Sequence, residues 1–369
     1  MTSGSRRGAI VVGSGFGTRV HVPALRAAGF DVVALVGRDP DRTARRAERA
    51  GIEHSFASVD AALGSGLGFD VVTIATPPVI HESIALAALE SGCHVVCEKP
   101  FALDAGGARR MVDAADAAGR IALVGHEFRW STDRAVVARA IAAGLIGEPR
   151  VASLVQYVPL VADPAARTPE WWFDADAGGG WLGASGSHVV DQIRVWLGEF
   201  ESVSATVGVT ADRPGGGSGA AAGAEDTFTV RFRLRSGVDG VMQQTAAAWG
   251  PMAGMTRVAG SAGTVWLESD GAWIADADGT RALPVDDDLV LPVAGDVSND
   301  PRHRFTHLEL GPYTQLLRAL RDAIDGASLP DAPAVAVPTF ADGLACVEVL
   351  DAIRSSAAAG GARIEVERS

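Results

Sequence analysis

Lysine is almost missing from this chain. Of its 32 basic residues one is lysine, Lys99, and the other 31 are arginine. Arginine is effectively never deprotonated, whereas a lysine can titrate and take part in proton transfer. A lone lysine is therefore a candidate for chemistry that arginine cannot perform. Cysteine is scarce as well: Cys93, Cys97 and Cys346 are the only three in 369 residues. A small odd number in a long chain argues against a disulfide framework and for a reducing cytoplasm. Cys93 and Cys97 have no second cysteine pair beside them, so no metal site is expected. Apolar runs are short, and none reaches the roughly 18 residues that a membrane-spanning helix needs. Arg6-Arg7 precede one such run, but Ala9–Val12 is too brief for a signal-peptide core and reads as a strand. Positive charge is in deficit, with 32 basic against 45 acidic residues and a net charge of −13. With no Lys/Arg block, that balance argues against nucleic acid or an anionic membrane as partner.

What is present is ordinary globular material, 47% hydrophobic and 21% charged, in a length suited to two or three domains. Short Val/Ile runs alternate with helical segments through the first 125 residues. Strands are expected at Ala9–Val12, Val32–Val36, Asp70–Ala75, His94–Cys97 and Ile121–Val124. Helices are expected near Val20–Ala28, Asp41–Ala50, Glu82–Ser91 and Asp104–Ala118. Strands separated by helices in this way form a parallel sheet covered on both faces, a doubly wound α/β domain of Rossmann type.

After Gly125 the pattern changes. A helix at Asp133–Ala143 is followed by strands near Arg150–Val158, Ser202–Thr210, Thr227–Leu234, Gly240–Ala247, Thr256–Ala259 and Thr264–Glu268. Neighbouring strands without helices between them predict a mostly antiparallel sheet. Helices near Thr306–Ile324 and Thr339–Ala358 and a strand at Arg363–Val366 complete an α+β domain. The division expected is 1–126 for the dinucleotide-binding domain and 127–369 for substrate binding and oligomerisation. Pro214–Gly223 has the composition of a flexible hairpin tip, and Asp286–Arg302 is acidic and irregular.

The first strand runs into Gly13-Ser14-Gly15-Phe16-Gly17-Thr18. Such a turn lets backbone N–H groups approach a pyrophosphate at a helix N-terminus. Thr18 stands where the fingerprint has Gly or Ala. At the end of the second strand, NAD sites carry an acidic residue for the ribose hydroxyls. Here Gly37 holds that position, Arg38 follows, and Arg42 opens the next helix. A small residue with two guanidinium groups suits a 2′-phosphate, so NADP(H) is preferred and NAD(H) stays possible. In the alternative, Asp39 holds the ribose and the arginines are surface charges.

Four features together resemble the Gfo/Idh/MocA oxidoreductases, the glucose–fructose oxidoreductase and inositol dehydrogenase family. They are the glycine loop, Ala75-Thr76-Pro77-Pro78-Val79-Ile80-His81, Glu98-Lys99-Pro100, and Gly178-Gly179-Gly180 ahead of Gly186-Ser187-His188-Val189-Val190-Asp191. The resemblance covers essentially the whole chain. It implies a Rossmann domain, a second domain with a large open sheet, and a nicotinamide cofactor. Substrates of the family are sugars, cyclitols or related polyols, and a cis bond precedes Pro100. It puts the cofactor against Ala75, Thr76, Pro77, Pro78, His81, Glu98 and Lys99, makes Lys99 and His188 the catalytic pair, and implies a homodimer or homotetramer.

The chain departs from the family pattern at Ala184, where an acid four residues before His188 is expected. His188 could then be a core histidine. Asp191, on the same helix face, or Glu127, in Gly125-His126-Glu127-Phe128-Arg129-Trp130, could supply the carboxylate. Glu127, Arg129, Trp171, Trp172 and Asp191 are the substrate-binding candidates. Aromatic faces suit sugar rings, although tryptophans also serve cores and interfaces. No arginine follows Trp171-Trp172, unlike in much of the family. The reading is an NADP(H)-dependent oxidoreductase of a secondary alcohol or ketone. Two alternatives are a redox-neutral epimerase or oxidative glycosidase that keeps its nicotinamide, and a nicotinamide- or sugar-sensing regulator.

Overall fold

The first strand, β1 (Gly8–Val12), is buried along its whole length, as a central strand covered on both faces must be. In this computed structural model residues 7–163, 168–212, 223–291, 305–329 and 336–367 are described. They divide into two units. The first comprises Met1–Ser131, Leu291–Asp331 and Val337–Leu344, and the second Thr132–Val290, Ala332–Ala336 and Ala345–Ser369.

In the first unit, β1 leads through a turn of π-helix, Gly17–His21, into α1 (Val22–Ala27). Next come β2 (Asp31–Val36), α2 (Pro40–Arg49), β3 (His54–Phe56) and α3 (Val59–Leu63). The series continues with β4 (Val71–Ile74), α4 (His81–Glu90), β5 (His94–Cys97), α5 (Ala105–Ala118) and β6 (Ala122–Val124). The strands are all parallel, in the order β3-β2-β1-β4-β5-β6. This order reverses between β1 and β4, and beyond the carboxyl ends of strands at such a point α/β sheets bind ligands. Helix starts follow local chemistry: the side chains of Asp39, Ser58 and Asp104 accept the N–H groups of Arg42, Ala61 and Gly107, which satisfies donors the helices leave unpaired.

The second unit carries α6 (Thr132–Ala142), β7 (Pro149–Tyr157), α7 (Ser187–Leu197) and β8 (Phe200–Gly208). β9 (Thr227–Leu234), β10 (Asp239–Thr245), β11 (Ala253–Gly260), β12 (Gly263–Glu268), β13 (Gly271–Asp276) and β14 (Gly279–Ala282) follow. The chain ends with α8 (Thr306–Ile324), α9 (Phe340–Ala358) and β15 (Ile364–Glu365). The nine-stranded order is β14-β13-β12-β11-β7-β10-β9-β8-β15, antiparallel except for the parallel pair β7–β10. In β9, Phe228, Val230, Phe232 and Leu234 are buried while Thr229, Arg231 and Arg233 are exposed. That period of two marks a sheet with one face on a core.

The fold is the α/β architecture expected, a parallel Rossmann sheet plus a large, mostly antiparallel sheet. β3, α3, β13 and β14 are additions. α8 packs in the first unit although it comes near the end of the chain: Tyr313, Leu316, Leu317 and Leu320 are buried among Val20, Val22, Leu25 and Phe30. Of the two irregular segments, Pro214–Gly223 lies outside the described residues apart from Gly223. Asp286–Arg302 is described only through Leu291, with a 3₁₀ turn at Asp287–Leu289. Arg6 is also outside them, and so is the part of Pro159–Ala177 at 164–167.

Candidate active site

The glycine turn is built from backbone. Gly13 N–H donates to Val36 O at 2.9 Å, and Ala75 N–H donates to Val12 O at 2.7 Å. Thr18 Oγ1 donates to Ser14 O at 2.9 Å and lies 3.1 Å from Gly15 O. Thr18 thus closes the turn with its hydroxyl. Gly15 is exposed, with nothing within 4 Å of where a Cβ would stand. An open backbone at the start of the helical stretch from Gly17 into α1 fits a pyrophosphate.

Beyond β2 there is no room for an acidic side chain at Gly37, because a Cβ would stand 2.6 Å from Thr43 Oγ1 and 3.3 Å from Ser14 Oγ. Arg38 is exposed. Asp39 accepts the Arg42 N–H at 2.9 Å, and its second carboxyl oxygen lies 3.7 Å from Arg42 Nε. Arg46, which the sequence reading overlooks, reaches the glycine turn: its Nη1 donates to Ser14 O at 2.5 Å and to Ser14 Oγ at 3.0 Å. Its signal was available, since positions 42 and 46 share a helix face.

The loop after β4 holds Ala75, Thr76, Pro77 and Pro78. His81, fully buried, has Nε2 2.9 Å from Thr76 O and Nδ1 3.2 Å from Phe101 O. Burial keeps this imidazole below its ordinary range despite the two carbonyls. Its ring therefore ties the Thr76 loop to the segment after Pro100. Thr76 Oγ1 is buried without a hydrogen-bond partner among the described residues, a group suited to a ligand in this crevice.

Glu98 and Lys99 follow β5, and the Lys99–Pro100 bond is cis. Glu98 is buried against His21, whose Nε2 lies 3.1 Å from Glu98 Oε1. The His21 ring stacks on Tyr313 at 4.5 Å, and Phe16 meets His21 edge-on at 5.4 Å. Burial pushes the Glu98 carboxyl up, but the His21 hydrogen bond and charge, then Lys99 and Tyr313, hold it below the ordinary carboxylate range. Burial and the Glu98 charge push the Tyr313 phenol well up. Glu309 of α8 lies 3.8 Å from Arg19 Nη2. Glu127, which opens the 3₁₀ turn Glu127–Trp130 beyond β6, is buried. Arg129, two residues on, is buried with Nη2 3.0 Å from Asp342 Oδ1. His21, Tyr313 and Glu309 carried no signal in the sequence reading.

In the second unit, His188 lies in the first turn of α7, buried, after a turn of π-helix at Leu182–Gly186 that contains Ala184. Asp191 sits one turn later, with Oδ1 4.0 Å from Arg194 Nη1. Arg194 in turn pairs with Glu199 at 2.8 Å. Trp171 and Trp172 lie in a 3₁₀ turn, Glu170–Phe173, with ring centroids 5.9 Å apart, and Trp172 lies 6.3 Å from Trp181. The triple glycine folds back on this turn through Gly180 N–H to Trp172 O at 3.0 Å. Glu225, a further residue the sequence reading overlooks, accepts the Leu182 N–H at 3.1 Å and so fixes the start of the π-turn ahead of His188.

Two family models match this chain. One, an oxidoreductase family with an NAD-binding Rossmann fold, covers residues 7–126, and the other, the GFO/IDH/MocA C-terminal domain, covers residues 135–266. The chain is 31% identical over 281 residues to the D-apiose dehydrogenase of Paraburkholderia graminis, spanning 73% of this chain and 70% of that protein. It is 30% identical over 282 residues to inositol 2-dehydrogenase 1 of Saccharopolyspora erythraea, spanning 76% of this chain and 79% of that protein. A levoglucosan dehydrogenase solved with NADH and L-sorbose superposes with a TM-score of 0.84 at 24% identity, over 99% of this chain and 100% of the other. At that identity the likeness is one of fold.

Proposed function

This chain belongs to the Gfo/Idh/MocA oxidoreductase family, and from that premise we propose an NADP(H)-dependent enzyme acting on a secondary alcohol or ketone of a sugar, cyclitol, glycoside or related polyol. The observation that carries it is Lys99. The only lysine of the chain stands beyond the carboxyl end of β5, next to a carboxyl that the His21 contact holds below the ordinary carboxylate range. Bound nicotinamide supplies the hydride acceptor in oxidation and the hydride donor in reduction. Lys99 hydrogen-bonds the reacting oxygen and stabilises the alkoxide charge that develops there. His188 takes the hydroxyl proton in oxidation and returns it in reduction. The first unit binds the dinucleotide along Gly13–Thr18 and the Thr76 loop.

Three observations support NADP(H) over NAD(H). Gly37 leaves no space for a ribose-binding acid, Asp39 spends one oxygen on the α2 N-cap, and Arg46 brings a guanidinium to the Ser14 turn, with Arg38 and Arg42 on the segment that follows β2. The sugar or cyclitol class rests on the named activities of the relatives, apiose and inositol dehydrogenases. Trp171 and Trp172, both partly exposed, offer the aromatic faces that such rings stack on. The three cysteines are free and buried, and no helix among the described residues is long and apolar enough to cross a membrane.

The test is a calorimetric titration of nucleotide-stripped protein with NADPH and NADH, followed by turnover on a panel of aldoses, cyclitols and anhydrosugars. NADPH binding at least about tenfold tighter, equivalent to 1.4 kcal/mol, is the expected result. Preference for NADH would return the ribose to Asp39 or another group. Turnover on none of the panel, with either nucleotide, would sink the reading.

A further inference from the structure

We propose that His21 is a positioning residue for the reaction: together with His81 it brackets Lys99 and fixes where the amine leaves the sheet. The proposal rests on the assignment of Lys99 to the reacting oxygen. It gives no proton to either imidazole, so proton transfer stays with His188.

The segment is enclosed everywhere but at the lysine. From Val95 to Ala102 every residue is buried except Lys99, which is half-buried. Backbone pairing secures the approach to it. Gly125 N–H, beyond β6, donates to Cys97 O at 2.8 Å, and Glu98 N–H donates to Ile74 O of β4 at 2.9 Å. On either side of Lys99 an imidazole adds a further hold. His21 Nε2 lies 3.1 Å from Glu98 Oε1, one residue before the lysine. His81 Nδ1 lies 3.2 Å from Phe101 O, two residues after it, and His81 Nε2 lies 2.9 Å from Thr76 O. Both histidines are 0% exposed. Successive side chains of an extended segment point to opposite sides. A carboxyl drawn to the buried side by His21 therefore sends the next side chain towards solvent. Backbone pairing at Glu98 does not itself fix where the carboxyl lies, and the bond from His21 does.

His21 is in turn held from several directions. It ends the π-turn Gly17–His21 that the glycine turn runs into. Its ring stacks on Tyr313 of α8, with centroids 4.5 Å apart and planes 26° from parallel, and meets Phe16 edge-on at 5.4 Å. Its Nδ1 has no hydrogen-bond partner among the described residues. Two aromatic rings thus set the plane of the imidazole, and Glu98 is the group that plane is aimed at. An apolar ring would fill the same core without the cost of burying a polar pair. What the histidine adds is the bond to Glu98. Through one side chain, the turn that takes the dinucleotide and the residue next to Lys99 share an anchor.

The single lysine makes the test direct. Protein labelled with [α-15N, ε-13C]lysine gives one lysine amide signal and one lysine side-chain signal. In wild-type protein the Lys99 amide is expected to have an order parameter of about 0.85, that of rigid backbone, and a value below about 0.6 overturns the proposal without recourse to any variant. His21→Phe keeps a ring against Tyr313 and removes the bond to Glu98. It is expected to shift both signals and to lower turnover at least about tenfold, with NADPH affinity kept within about threefold. His21→Gln brings an amide N–H within reach of the same carboxyl and is expected to recover most of the loss. Leu25→Ala truncates α1 in the core cluster that contains Tyr313, and is expected to leave the lysine signals and turnover in place. If Leu25→Ala disturbs the signals as much as His21→Phe does, His21 only supports the core and the proposal fails. Near-wild-type turnover in folded His21→Phe protein overturns it as well. Should His21→Phe not fold, His21→Gln against His21→Asn, which is too short to reach Glu98, makes the same comparison. If no nicotinamide nucleotide binds at all, the functional reading fails instead, and the lysine signals still decide whether His21 fixes Lys99.

Discussion

His21 and Glu98 meet at 3.1 Å with side-chain exposures of 0% and 8%, so each is the other's replacement for water. Removing one partner of such a pair costs about 3–5 kcal/mol, because the remaining charge stays buried. His21→Ala is expected to lower unfolding free energy by about that amount, measured by urea titration near pH 7. The pH dependence follows from the sign of the shift. Glu98 is held below its unfolded value, so its contribution is present above the unfolded carboxylate pKa and is lost as pH falls through the folded one. Glu127 is displaced upward, so its contribution is present below the unfolded pKa and is lost as pH rises through the folded value. Glu127→Gln should therefore melt at a higher temperature than wild type at neutral pH, with the difference closing towards pH 4, and an equal difference at both pH values would contradict the upward displacement. For Lys99→Ala, loss of hydride transfer with nucleotide affinity kept within a few fold is the expected outcome, and near-wild-type turnover would remove the lysine from the reaction. Composition alone pointed to Lys99. His21, Tyr313 and Glu309 stayed hidden because no local pattern records that α8 returns to pack on residues nearly three hundred positions earlier.

At the scale of elements, α2 joins stability to cofactor choice. Its N-cap, Asp39, is worth about 1 kcal/mol of helix stability by the usual cost of replacing such a residue with alanine, and its Arg46 bonds the glycine turn. Arg46→Ala is expected to weaken NADPH binding by roughly tenfold or more, the worth of one charge-assisted hydrogen bond of about 1.5–3 kcal/mol, and to leave NADH nearly untouched. Equal losses for both nucleotides would mean that Arg46 only braces the turn. The elements that could be read from sequence are those with strong period or strong caps. β1, β2 and β4 are continuous Val/Ile/Leu-rich runs, and α5 starts at a capping aspartate. β3 is three residues long, and β13 and β14 are short segments opened by glycine. Such segments give no periodicity to count, and only pairing with a longer neighbour makes them strands. The parallel pairing of β7 with β10 joins residues about ninety positions apart and leaves no trace in either strand.

On the scale of the whole molecule, the described residues leave part of one face of the nine-stranded sheet exposed. Register puts Val151, Tyr157, Val241 and Met255 on the same side of β7, β10 and β11, and all four are exposed, at 40–53%. Arg257 lies over the Trp266 ring at 4.7 Å on strands paired with these. An exposed apolar stretch on a regular sheet, with guanidinium and aromatic groups beside it, has the make-up of an interface. A second copy of this chain is the simplest cover, since closed symmetric association uses one patch twice. Light scattering on wild-type protein is expected to give a multiple of the 38.0 kDa chain mass. The pair Tyr157→Arg and Val241→Asp should return it to 38.0 kDa, because two buried unpaired charges cost more than the contact they replace gains. Their side chains do not support the chain's own core, so the monomer should still bind NADPH. A variant that keeps the wild-type mass would leave the face to some other use, and loss of nucleotide binding along with the mass would mean that association and the dinucleotide site are coupled.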